Sequence, residues 1–123
     1  MANKLDMQDK MRIVQELVPG RQITLAHIIA NPDPILYQKL GLDPSVDYKH
    51  AAIGLLTVSP AETAVITADI ALKSSGAELG FVDRFSGTLI ITGTVSEVEA
   101  SLNAISDYFR EKLNFTVCDV TKT

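Results

Sequence analysis

Few residues of this chain have the type and spacing that chemistry requires. Its two histidines, His27 and His50, and its one cysteine, Cys118, lie far apart, without the paired spacing of a zinc site. There is no G-x-x-x-x-G-K-[ST] or G-x-G-x-x-G phosphate cradle. Ser, His and Asp are all present, but no nucleophile elbow is. His27 sits among Leu25, Ala26, Ile28 and Ile29, where a neutral imidazole is packed or lies at an interface with a ring nitrogen hydrogen-bonded; a general base would need a partner that is not visible. His50 falls in a polar loop and reads as solvated. Asp69 and Lys73 are an i,i+4 pair: a surface ion pair, or with Lys73 an edge residue touching a neighbouring subunit. Cys118 alternates with Thr116 and Val120 as a small core residue does; as a cluster ligand it would need thiolates from other copies. The odd stretch is Arg84–Phe85–Ser86–Gly87, a hairpin tip carrying a phenylalanine where polar residues are usual. Either Phe85 folds back onto its own core or the tip faces a symmetry axis where copies meet. No catalytic set, metal site or cofactor is expected.

Composition narrows the partners. The chain has 123 residues, enough for one domain with a modest core, and 46% of them are apolar. Association with other copies is one way to cover so much apolar surface. The net charge of −4, with basic residues scattered, argues against nucleic acid. No apolar run approaches the roughly 20 residues that cross a bilayer, and no signal-peptide stretch opens the sequence. A single cysteine excludes an internal disulfide framework and fits a reducing cytoplasm.

The elements that must position these residues read most clearly from Ala51 onward. Ala51–Val58 is a strand. Ser59, Pro60 and Glu62 have the spacing of a capping box opening a helix. Ala61, Ala64, Val65, Ala68 and Leu72 would form its apolar face, and Gly76 its stop. Strands Ala77–Asp83 and Thr88–Thr94 flank the tip. Ser96 and Glu99 suggest a second box; Val98, Leu102, Ile105, Phe109 and Leu113 form a second stripe; Asn114 ends it, and Phe115–Val120 is a strand. The order βαββαβ is ferredoxin-like, an α+β fold with two helices on one face of an antiparallel sheet. Upstream, residues 1–11 read as a flexible tail, and Arg12–Val18, ended by Pro19–Gly20, as a short strand. Ile13, Gln15 and Leu17 alternate with Val14, Glu16 and Val18, so both faces carry apolar groups and the strand needs company. Residues 21–123 form the domain proper. Arg21–Ala30 is a strand, Asn31–Pro32 and Asp33–Pro34 break it, Pro34–Leu40 is a short helix capped by Asp33 and stopped by Gly41, and Leu42–His50 is a loop. Both Arg21–Ala30 and Phe115–Val120 compete for a place in the same part of the sheet.

Ile53–Gly54, Ala68–Asp69, Lys73 and Ser86–Gly87 fall in the register of bacterial microcompartment shell (BMC) domains, which the segment 52–94 resembles. LAHIIANP (Leu25–Pro32) is similar to a segment that ordinary members carry near their C-terminus, and here it precedes the core. With VPGRQITLAHIIANP, FVDRFSG and CDVTKT, that displacement resembles the circularly permuted subfamily of ethanolamine, propanediol and choline utilisation compartments. The resemblance implies a structural subunit in the cytoplasm: homohexamers tiling with other shell proteins around encapsulated enzymes. It implies Arg84, Phe85, Ser86 and Gly87 at the central axis, Lys73 and Asn31 at the hexamer edge, and Arg12–Val18 as one strand of a six-stranded parallel barrel over the axis. Ordinary members carry an arginine at the place of Asn31, so edge geometry is expected to differ from theirs. The other reading open to the sequence is a ferredoxin-like regulatory or small-ligand domain, which would need a pocket on the order of 300 Å3.

Overall fold

The computed structural model describes residues 20–45, 48 and 51–123; the expected tail 1–11 and strand Arg12–Val18 lie outside them. The described elements are β1 (Gln22–Ile29), α1 (Ile35–Lys39), β2 (Ala52–Ser59), a 3-10 turn (Ala61–Thr63), α2 (Ala64–Ser74), β3 (Glu78–Asp83), β4 (Thr88–Gly93), α3 (Val95–Glu111), β5 (Thr116–Val117) and β6 (Thr121–Lys122). They form one sheet in the order β3-β4-β2-β1-β5, with β6 also on β1. Neighbours among β1 to β4 are antiparallel; β5 and β6 run parallel to β1. The competition is thus resolved: β1 takes the place beside β2, and the C-terminal segment is added outside it.

The sheet separates two apolar layers. Along β2, Ala52, Leu56 and Val58 point into the core under α2 and α3, while Ile53 and Leu55 point the other way. That period of two is a strand buried on both faces. α3 contributes the expected stripe, with Val98, Leu102, Ile105 and Phe109 fully buried and Leu113 partly so. It sits so close to β2 that a Cβ on Gly54 would come within 2.7 Å of Val98 Cγ1 and 2.8 Å of Ile91 Cγ1. On the opposite face α1 brings Tyr37 over Ile53 and Ile90, and Tyr48 stacks on Tyr37 with ring centroids 4.9 Å apart. α1 starts as expected, with Asp33 Oδ1 accepting from Ile35 N at 3.1 Å, and Gly41 follows it at φ +73°.

Five expectations need correction. Ser59 and Glu62 form no capping box: Ser59 is still paired with Gln22 in the sheet, and the turn after extended Pro60 closes through Thr63, whose N–H and hydroxyl both donate to Pro60 O. The box on α3 lies at Thr94 and Glu97, not Ser96 and Glu99. β4 ends at Gly93, so the helix begins two residues earlier; Thr94 Oγ1 accepts from Glu97 N at 3.1 Å and Glu97 Oε1 from Thr94 N at 2.9 Å. α2 is rotated from its expected face: Ala64, Thr67, Ala68 and Ala71 are buried, while Val65 and Leu72 are 55% and 52% exposed. It also leaves through extended Ser75, with no left-handed cap at Gly76, where a Cβ would meet Glu97 Oε2 at 2.3 Å. Finally, Phe115–Val120 is not one strand. β5 breaks after Val117, and Val117, Cys118 and Val120 pack against the core before pairing resumes at Thr121. Asn114 does end the α3 region, at φ 59°.

The placement of the cap is testable by urea denaturation. Thr94→Ala should cost about 1 kcal/mol of stability, whereas Ser59→Ala should stay within about 0.5 kcal/mol. Equal losses would contradict this assignment.

Candidate functional site

The hairpin tip between β3 and β4 is held from every side. Asp83 starts it: its Oδ1 accepts from Phe85 N at 2.9 Å and its Oδ2 from Ser86 Oγ at 2.8 Å. Such Asx turns fix backbone that a flexible loop would leave free. These bonds, the Phe85 N–H first and the Ser86 hydroxyl second, pull the Asp83 carboxyl below its usual value of 3.8. Ser86 Oγ also reaches Thr88 Oγ1 at 3.0 Å. Gly87 donates to Asp83 O and accepts from Val58 N, both at 2.9 Å, which ties the tip to the neighbouring strand. Its φ is +78°, and a Cβ there would stand 2.2 Å from Val58 O, so only glycine fits. Phe85 is therefore presented on a fixed loop. It is 81% exposed and does not fold back onto its own core. The Arg84 guanidinium lies 5.0 Å from its ring centroid, a cation–π contact.

A second surface is the outer side of α2. Val65, Ile66 and Leu72 are exposed along it, interrupted by the expected ion pair, Lys73 Nζ to Asp69 Oδ2 at 2.9 Å. Hydrogen bonding to Asp69, with its negative charge, raises the Lys73 pKa. Leu79 and Phe81 on the edge strand β3 add further exposed apolar area. Asn31, just past β1, is exposed.

The other candidates have structural surroundings. Both ring nitrogens of His27 are hydrogen-bonded to hydroxyls of the C-terminal segment, Nδ1 to Thr121 Oγ1 and Nε2 to Thr123 Oγ1 at 2.9 Å. This is the satisfied histidine of the packed reading, and it fastens β6 to β1. Cys118 is half-buried, and burial pushes its thiol pKa up. Among the described residues, no three His, Cys, Asp or Glu side chains are placed to hold a metal ion, and no helix is long and apolar enough to cross a membrane. His50 lies outside the described residues. Sequence reasoning missed Asp83 as the organiser of the tip, although its spacing of two and three residues from Phe85 and Ser86 is an Asx signal. It also missed the Arg84–Phe85 stack.

The chain matches the BMC domain family over residues 52–120. It belongs to the bacterial microcompartment shell proteins. Shell protein PduU of Salmonella typhimurium is 48% identical over 112 residues, covering 91% of this chain and 93% of that protein. Shell protein EutS of Escherichia coli is 46% identical over 115 residues, covering 94% and 99%. A solved structure described as a CutR flat hexamer superposes with a TM-score of 0.78 at 44% identity, covering 88% of this chain and 95% of the other. The BMC match leaves β1, an interior strand of the sheet, upstream of its start. The α+β fold expected from the resemblance is thus present, with one mostly antiparallel sheet.

The state of the BMC tip can be followed by NMR. The Asp83 carboxylate is favoured in the folded tip, so its contribution is present above pH 3.8 and lost as pH falls through the lowered folded value. The Phe85 amide shift should titrate with a midpoint below 3.8; a midpoint at or above it would contradict the hydrogen-bond network. Asp83→Ala should abolish the titration.

Proposed function

We propose that the chain is a non-catalytic shell subunit that closes into a six-membered ring. Arg84, Phe85, Ser86 and Gly87 lie at the ring's axis, and Lys73 and Asn31 at its rim. Val65, Ile66 and Leu72 are buried against another copy. Arg12–Val18 supplies one strand of a six-stranded parallel barrel above the axis. The ring tiles with other shell proteins around encapsulated enzymes in the cytoplasm, and carries no reaction or cofactor of its own.

One observation supports this most: a phenylalanine 81% exposed on a tip that its own hydrogen bonds prevent from retracting. Large apolar groups held in water mark contact surfaces. A relative solved as a flat hexamer supports a contact shared by six copies. The barrel is supported by position. Gln22 at the start of β1 pairs with Ser59, and Val58 N donates to Gly87 O, so β1 begins at the same end of the sheet as the tip.

Light scattering on the full chain at micromolar concentration should give six times the subunit mass of 13.3 kDa. Leu72→Asp should shift it to smaller species with an unchanged circular dichroism spectrum. A wild-type monomer would overturn the proposal, and an unaltered ring in the Leu72→Asp variant would remove the α2 face from the contact.

A further inference from the structure

The segment 116–123 lies outside β1 on two short ladders. Thr116 and Val117 pair with Gln22 and Ile23, and Thr121 and Lys122 with His27 and Ile28. The residues between, 118–120, are off the ladder. Little apolar area holds the segment down: Val117, Cys118 and Val120 are only partly buried, and Asp119, Thr121, Lys122 and Thr123 are exposed. Its two ends are fixed in different ways. Just before it, Phe115 is buried edge-on against Phe109, and the Phe115 N–H donates to Phe109 O at 2.9 Å. At the far end one imidazole holds two side chains, Thr121 Oγ1 at His27 Nδ1 and Thr123 Oγ1 at His27 Nε2. His27 stands opposite Leu55 in the β1–β2 ladder, so its backbone belongs to the central sheet.

We propose that 116–123 is a strap that opens and closes as a unit, hinged at Phe115 and latched by His27. A segment with few buried apolar contacts and exposed hydrogen bonds opens at lower cost than a core strand. The imidazole concentrates the hold at the end farthest from the hinge, so its loss frees that end first. An open strap leaves Arg21 O, Ile23 O, Ile28 O and Ala30 N without the partners they have in Thr116, Cys118 and Thr123. β1 then presents a bare edge of the kind that pairs with another chain. The closed strap is a cover on that edge, and His27 sets how often the edge is offered. No contact between copies is involved, so the strap does not depend on the ring proposed above.

The test is amide hydrogen exchange on the full chain, read by NMR. The reporters are Cys118 and Thr123, whose N–H groups donate to Ile23 O and Ile28 O, with the amides of β2 as the core reference. The variants are His27→Phe, the pair Thr121→Val with Thr123→Val, and all three changes together. In the wild type both reporters should be protected at least tenfold less than β2, and within about threefold of each other. His27→Phe removes both bonds and keeps a ring, and should lower strap protection about tenfold with β2 unchanged. The double valine variant should do the same. The triple variant should lie within about threefold of either, because the same two bonds are lost. A strap as protected as β2 in the wild type overturns the proposal, as does unchanged strap protection in His27→Phe. An equal loss in strap and β2 overturns it too, since the segment would then open only with the whole domain. Should His27→Phe fail to fold, the double valine variant removes the same bonds and is read by the same outcomes.

Discussion

A hairpin tip fastened to its own sheet cannot withdraw an aromatic ring from water, and much of this molecule follows from that constraint. Gly87 is bonded to both Asp83 and Val58, and its left-handed backbone leaves no room for a side chain. Asp83 fixes the two residues between. An unfastened loop would let Phe85 collapse inward and recover part of the roughly 1.5–3 kcal/mol that burying such a side chain is worth. Here Phe85 forgoes that gain within its own chain, and in the proposed ring a contact with other copies would recover it.

The rest of the domain packs the sheet from which the tip projects. α3 presses on β2 through the gap that Gly54 leaves, and its aromatic end, Phe109 edge-on to Phe115 with ring centroids 4.8 Å apart, anchors the start of β5. Arg21 closes the same corner, donating to Leu113 O at 2.6 Å and covering the Phe115 ring. α2, built of small residues on its inner side, lies low on the sheet and turns its larger side chains outward. A helix whose alanines are buried and whose valine and leucine are exposed is inside out for a monomer, yet suited to a subunit with a second apolar contact outside.

The sequence made the order of strands and helices legible because α3 has a long, regular stripe and β2 and β4 are continuous apolar runs. It misplaced details where several residues satisfy one local rule. Ser59, Thr94 and Ser96 each stand three before a glutamate, and only the end of the preceding strand decides which one caps. The face of α2 differs from its apolar spacing because that spacing ranks valine and leucine above alanine, whereas close packing on the sheet selects the small side chains. The C-terminal strand breaks because Val117, Cys118 and Val120 pack inward, a tertiary demand without local signal. At the candidate site, Phe85 announced itself by being out of place in a turn. The role of Asp83 is legible in its spacing from Phe85 and Ser86, and the stacking of Arg84 has no sequence signature.

What unites these features is that the apolar groups left outside are held in fixed positions, as a repeating assembly requires and an isolated domain does not. The most direct test is an electron-microscopy map of the assembled full chain at side-chain resolution. It should show six-fold symmetry with the Phe85 rings of neighbouring copies gathered around the axis. A map with a different symmetry, or with the 84–87 tips at the outer perimeter facing solvent, would contradict the account.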